Sequence, residues 1–357
     1  FRSKKKKKSG TIISTFPVAA VNGPLVIIGE DGEDDTLTID LDNIDHTTDI
    51  QIEFRGGTGG NDTLILERTG AINSVEHVFT NASDGSIFLD GEATATITYT
   101  GLEPIDDQIS ATNRTFSYLG GAETITLSDF GGANDDVSVI SSTLGEAVNF
   151  NHNSLTSITI ITTDGSGADT VNINSVDGNF SSNLTVTAGT DDTINTGTVD
   201  IGSGALDLTG GQVNVNGAFT TTGSVDIDST FGNIHFAAAG SIDAGTSEID
   251  LTAASNVNSL NVTTTSEVRV TATLGGINDL TGNAQITADR VALRAGTGGI
   301  TGIATTVNTL AASATDGGFD IDNTGDLEIG SVDSLDGITA NSSTIFVTAT
   351  GALTVNA

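Results

Sequence analysis

The sequence predicts an all-β fold in which short strands stack as the coils of a parallel β-solenoid, and three observations lead there. First, a phrase recurs: Asp35-Thr36-Leu37-Thr38-Ile39, Asp62-Thr63-Leu64-Ile65-Leu66, Asp169-Thr170-Val171-Asn172-Ile173 and Asp192-Thr193-Ile194, each after a Gly- and acid-rich turn. One unit, turn then strand, is reused, and such a unit cannot bury its apolar face alone. Second, the spacing is short: Asp35 is answered at Asp62, Asp169 at Asp192, and the related phrase around Gly325 at Gly351. These steps suit a coil of two or three strands, which needs roughly 20 to 30 residues, whereas a β-sandwich domain needs about 100. Tandem β-sandwich domains are the alternative architecture, and neither a Trp nor a Cys pair marks one. Third, the 357 residues include 44 Gly but 3 Pro and no Cys, Met or Trp, a composition that suits narrow β-structure with many turns.

Residues 1–22 stand apart, with Arg2, the run Lys4 to Lys8 and a short apolar stretch from Thr11 to Ala20. Three readings stay open: the remnant of a secretion signal, a solvated basic tail, or an arm that docks on the acidic body of a neighbouring copy. Residues 23–200 form an acidic solenoid segment with Gly and Asp turns, and 201–357 continue it. Throughout, pieces of four to six residues alternate apolar with Thr, Asn, Asp or Glu, as at 50–54, 95–99, 123–127, 157–161, 212–215, 224–227, 248–251, 267–270, 326–329 and 344–347. Each therefore buries one face and wets the other. Stacked coils bring like Thr and Asn side chains together about 4.8 Å apart. Stacked Asp repel, so the acids are expected to be offset between coils or bridged by cations.

After Lys8 only Arg55, Arg68, Arg114, Arg269, Arg290 and Arg294 remain as basic residues, against 46 Asp and Glu. Such a surface repels nucleic acid and anionic membranes and attracts divalent cations. No apolar run approaches the roughly 18 residues of a membrane-spanning helix. These features point to a secreted, extracellular protein, where Ca²⁺ is plentiful enough for weak surface sites.

Two sets of phrases carry a resemblance. Ala295-Gly296-Thr297-Gly298-Gly299-Ile300 and Asp316-Gly317-Gly318-Phe319-Asp320-Ile321-Asp322-Asn323-Thr324-Gly325-Asp326-Leu327-Glu328-Ile329 resemble the right-handed β-helix of filamentous-haemagglutinin-type adhesins. Gly57-Thr58-Gly59-Gly60-Asn61-Asp62-Thr63-Leu64 and Ile97-Thr98-Tyr99-Thr100-Gly101-Leu102-Glu103-Pro104 are similar to segments of large secreted strand-repeat proteins of planctomycete-type bacteria. The resemblance covers most of 29–357 and implies a right-handed parallel β-helix, export and a role in adhesion or the cell envelope. It transfers no catalytic residue.

Gly56 to Leu64 approaches the Gly-Gly-x-Gly-x-Asp-x-apolar nonapeptide of Ca²⁺-binding β-rolls, with one residue inserted and no tandem copy. Acid-rich turns supply further oxygen ligands, so Asp34, Asp35, Asp62, Asp135, Asp136, Asp169, Asp191 and Asp192 are candidate Ca²⁺ ligands; plain turn formation accounts for the same residues. The chain is expected not to be an enzyme. A polysaccharide-cleaving β-helix needs a base, and Arg269, Arg290 and Arg294 read as outward counter-charges for acids such as Glu267 and Asp289. His46, His77, His152 and His235 show no metal-ligand spacing, His235 reads as an exposed strand position, and no Gly-x-Ser-x-Gly elbow is present. Asn81, Asn113, Asn183 and Asn261 head Asn-x-Ser/Thr triplets, as expected in so Thr-rich a chain. The expected function is structural: subunits stacking head to tail into a cell-surface filament or envelope layer, with cell-surface glycans as candidate partners. An adhesin stalk within a larger polypeptide is the alternative, and a glycan-active enzyme comes after it.

Overall fold

The computed structural model describes residues 23–42, 51–162, 167–341 and 343–356, together with the backbone of Arg2–Lys7 and Gly10–Thr15. His46 lies outside these residues. Among them are 41 strands, numbered β1 to β41 in chain order, and no helix. Two long sheets of mainly parallel strands carry the fold, as a β-solenoid requires and tandem antiparallel sandwiches do not. The chain divides into two compact units, Phe1–Val171 with Val176–Ser182, and Asn172–Ser175 with Asn183–Ala357.

In the first unit, β3 (Leu25–Ile28) and β4 (Thr36–Asp40) are followed by β5 (Ile52–Arg55) and β6 (Thr63–Glu67), which stack on them in parallel with Leu25 beside Ile52 and Thr36 beside Thr63. The step from Asp35 to Asp62 in the repeated phrase is therefore one coil. Gly29 and Gly56 precede these turns because the backbones close in: a Cβ on Gly56 would strike the Gly101 carbonyl and lie 2.6 Å from Asp62 Oδ2.

The next coils are longer. β9 (Ile97–Thr100) stacks on β5 and β10 (Ile105–Asp107) on β6 only after an inserted antiparallel hairpin of β7 (Ile72–Asn81) and β8 (Asp84–Leu89). β11 (Ala111–Tyr118) runs parallel to β7, and β14 (Val148–Asn151) stacks on β10 with Ile105 beside Val148. Between them, β12 (Thr124–Asp129) and β13 (Val137–Ser142) form a second hairpin, and β13 also pairs antiparallel with β14. Before these coils, β1 (Arg2–Lys7) and β2 (Gly10–Thr15) form an antiparallel hairpin whose first strand runs along β4 of the same chain.

The second unit is more regular. Several of its coils hold three short strands, as in β20 (Leu206–Gly210), β21 (Gln212–Val215) and β22 (Ala218–Thr220), and the next copies begin at Val225, Ile249 and Val268. One core row passes in register through Ile194, Val213, Ile234, Val257, Ile277, Ile300, Phe319 and Ile345. Every member down to Phe319 is buried, each worth about 1.5–3 kcal/mol of apolar burial. Outside, Asn195 Nδ2 donates to Asn172 Oδ1 at 3.0 Å and Asn214 Nδ2 to Asn195 Oδ1 at 2.9 Å, the expected polar ladder. His235 continues this row between Asn214 and Asn258 and is half-buried rather than exposed.

The acids depart from expectation. Asp207, Asp226 and Asp250 stand directly over one another on the outer face, not offset, and the row ends on Arg269. Arg269 donates from Nε to Asp250 (2.9 Å), from Nη2 to Glu248 (2.9 Å) and from Nη1 to Glu267 (3.1 Å). Arg290 pairs with the same Glu267 at 2.8 Å. Burial pushes the Asp226 carboxyl above its ordinary range, with the Asp228, Asp250 and Asp207 charges adding to it. A guanidinium at one end partly offsets a repulsion that parallel stacking imposes.

Candidate metal centre

Four of the eight candidate aspartates tie turns together. Asp35 Oδ2 accepts the Glu30 N–H at 2.5 Å, Asp62 Oδ1 the Asp35 N–H at 2.8 Å, Asp169 Oδ1 the Glu123 N–H at 2.9 Å and Asp192 Oδ2 the Gly189 N–H at 2.6 Å. All four are buried, pointing inward one position before the strand begins, so the Asp of the repeated phrase is a backbone tie in a sealed turn. Asp34 accepts the Asn61 N–H of the next coil at 2.9 Å and stays exposed, as does Asp191. The β-roll likeness of Gly56 to Leu64 thus marks a turn whose aspartate holds the chain.

Asp135 also ties its own turn, accepting the Gly132 N–H at 2.7 Å and the Val137 N–H at 3.2 Å, but Asp135 and Asp136 in addition meet ligand-bearing side chains from other segments. They end the turn joining β12 to β13, and the antiparallel pairing of β13 with β14 returns the chain so that the His152 N–H donates to the Asp136 carbonyl at 3.0 Å. Asn134 (φ 61°) and Asp136 (φ 65°) take left-handed backbone here, which Asn and Asp tolerate better than other side chains. From the 176–182 loop Asp177 arrives beneath them: its Oδ2 accepts the Asp135 N–H at 3.0 Å and its Oδ1 the Asn179 N–H at 2.9 Å. Asn179 Nδ2 donates in turn to Asp136 Oδ1 at 3.1 Å.

Two ligand-bearing trios result, Asp136 with His152 and Asp177, and Asp129 with Asp135 and Asp177, the side-chain donor atoms of each lying within 4.8 Å of one another. Asp177 is fully buried, and the His152 side chain is 2 % exposed. His152 Nε2 has no hydrogen-bond partner, and its distance to Asp177 Oδ1 is 3.6 Å. Phe180 packs against the imidazole with ring centroids 5.4 Å apart. Burial lowers the His152 pKa from its ordinary value, while Asp177, Asp136, Asp135 and Asp129 oppose that shift. Burial works against the Asp177 anion, but the N–H groups of Asn179 and Asp135 override it and keep its pKa below the usual range. Burial thus favours the neutral form of the imidazole and the amide N–H groups favour the ionised carboxylate, the forms in which such side chains ligate metals.

Sequence reasoning reached Asp135 and Asp136 but missed Asp129, His152 and Asp177. His152 meets one carboxylate from an earlier turn, Asp136, and one from a later loop, Asp177, a combination that no local motif encodes. The cross-coil steps of 42 residues from Asp135 to Asp177 and 43 residues from Asp136 to Asn179 belong to coils lengthened by the β12–β13 hairpin.

A second buried polar group lies in the core of the same unit. Asp107 is fully buried, with His77 Nε2 at 2.9 Å, the Arg114 guanidinium bonded to it and the Ile109 N–H donating to Oδ1 at 3.0 Å. Burial disfavours the anion, yet Arg114 and His77 lower its pKa to about 2. His77 stacks on Phe116 at 5.5 Å, and Arg114 sits 5.6 Å over the Phe150 ring. Sealed from solvent, this triad joins coils. Nearby, buried Glu146 faces a cleft with Glu103, Ser142 and Thr143, and burial together with the Glu103 and Asp84 charges raises its pKa to about 8. No described helix is long and apolar enough to cross a membrane.

The chain matches no protein-family model, and it has no significant match among curated proteins or solved structures.

Proposed function

We propose that this is a non-enzymatic structural protein of a cell surface, whose solenoid coils accept further coils from a second copy to build a filament or envelope layer. One observation carries the reading. The row that is buried at Phe319 opens at Ile345, which is 42 % exposed, and the last coil also presents Phe346, Leu353 and Val355 at 62, 48 and 66 %. Leu353 and Val355 lie beside Leu327 and Ile329 of the preceding coil, where the same positions are buried. The strands β40 (Ile345–Ala349) and β41 (Leu353–Val355) continue the register of the coils before them, so a further coil of this kind, from the same polypeptide or from a second copy, would extend the same inward rows. In β3 the inward register is held by Leu25 and Ile27, beside buried Ile52 and Phe54, while Val26 and Ile28 share the outer face with Glu53 and Arg55.

Export and an extracellular setting belong to the same proposal and rest on the acidic composition and the adhesin-like phrases. Arg269 and Arg290 are tied to carboxylates, which favours a scaffold over a lyase that needs a free base. The second reading, an adhesin stalk, draws on the same open coil, with the next coil supplied by the same polypeptide. Negative-stain imaging and sedimentation of the protein across a concentration series test the first: fibres or concentration-dependent oligomers are expected, and Leu353→Asp with Val355→Asp should abolish them. Monodisperse monomers at high concentration would reject stacking between copies and leave the stalk reading.

A further inference from the structure

We infer that Asp136, His152 and Asp177 form a binding site for a first-row divalent transition ion, with Zn²⁺ as the representative, at the junction of the β12–β13 turn, the end of β14 and the 176–182 loop. The acids alone would suggest nothing, since carboxylates crowd this surface. The histidine changes the argument. Its Nε2 faces Asp177 from a side chain 2 % exposed and lacks a hydrogen-bond partner, an arrangement that costs free energy unless something fills it. The 3.6 Å separation from Asp177 Oδ1 is too long for a hydrogen bond. It is close to the roughly 3.3 Å that separates two ligands of a tetrahedral ion when each bond is about 2.0–2.1 Å.

The donor types select the ion. Ca²⁺ is served by six to eight oxygens, whereas one imidazole nitrogen with two carboxylates suits Zn²⁺ and its neighbours and leaves a position for water. The carboxylates are held in place from behind: Asp177 by the N–H groups of Asp135 and Asn179, Asp136 by Asn179 Nδ2. Each retains lone pairs for a metal. Asp129 and Asp135, which share Asp177, add negative charge that draws a cation inward. The ion would clamp three segments that otherwise meet through a few hydrogen bonds, so its effect is on the rigidity of these coils.

The test is equilibrium dialysis and titration calorimetry of the whole chain, first stripped with chelator, against Zn²⁺ and separately against Ca²⁺. A single Zn²⁺ per chain is expected, bound more tightly than Ca²⁺, and Co²⁺ in its place should give the visible absorption of a low-coordinate site with a nitrogen ligand. His152→Gln should weaken Zn²⁺ by at least about 10-fold, the lower end of what even outer-shell changes cost at metal sites. Should that variant misfold, Asp136→Asn gives the same reading, since Asn accepts the left-handed backbone there. Absence of saturable Zn²⁺ binding, Zn²⁺ binding undiminished in both variants, or Ca²⁺ bound as tightly as Zn²⁺ would each overturn the inference.

Discussion

The two compact units solve one problem differently. In the second, successive coils return quickly, as from Leu206 to Val225 and from Leu327 to Leu353, and the interior is an almost unbroken aliphatic stack. In the first, inserted hairpins stretch the return, so that Ile52 meets its neighbour only at Ile97 and Ile105 only at Val148. Only these longer coils enclose the Asp107 triad and the His152 cluster. A short coil fills its inside with in-register apolar rows, such as Leu206 and Leu208 over Val225 and Ile227; an inserted hairpin lengthens the coil and brings in groups that need partners. Regular repetition thus gives stability through many equal layers, while interruption creates special sites.

Four substitutions would break or sharpen this contrast. The largest effect is expected at Arg114→Met, which strands a buried Asp107 anion and should cost about 3–5 kcal/mol by urea unfolding. Because the folded Asp107 pKa lies below the unfolded value of 3.8, the stability it contributes is present above pH 3.8 and is lost as pH falls toward about 2. Retention of wild-type stability in Arg114→Met would mean that the triad is dispensable. In the second unit, Ile277→Ala removes one layer of the long row and should cost about 2–5 kcal/mol. Hydrogen exchange should show loosening centred on the neighbouring coils, as a stack with nearest-neighbour coupling predicts; uniform loosening of the whole unit would refute that picture.

Glu146→Gln comes next. The folded carboxyl holds its proton to about pH 8 while the unfolded chain releases it near 4.5, so the native state binds more protons between these values. Its contribution is complete below pH 4.5 and falls as pH rises to 8, by at most about 1.4 kcal/mol per pH unit. The Gln variant should flatten that decline in a series of urea midpoints. The smallest effect is expected at Asp226→Asn, which relieves the in-register acid row and should stabilise the protein by roughly 0.2–1 kcal/mol at low salt, with the gain vanishing at high salt. A loss of stability there would mean that Asp226 is held by attraction to Arg269 more than it is repelled by Asp207 and Asp250.

The fold was legible where the pattern is local. The recurrences of the phrase at Asp62 and at Gly351 became coil steps, the alternation sorted inward Leu37, Ile39 and Leu64 from outward Thr36 and Thr38, and the Asn ladder followed. The candidate site was half legible: acid-rich turns flagged Asp135 and Asp136, but the same signal flagged Asp35, Asp62, Asp169 and Asp192, whose carboxylates accept backbone amides and lie in neither trio. Composition cannot tell an aspartate that closes a turn from one that faces a cluster, because both follow Gly and precede a strand.

By itself, the order of residues determined which face of each strand is apolar, how long the plain coils are and that acids would crowd the surface, since these follow from a two-residue period and a repeated turn. Tertiary structure alone decided that the acids of one outer row stand in register above Arg269, that Arg114 and His77 are sealed around Asp107, and that His152 meets Asp136 and Asp177. Those contacts lie between coils. Their partners are set by how many residues each coil takes to return, and the inserted hairpins change that number without leaving a periodic trace along the chain.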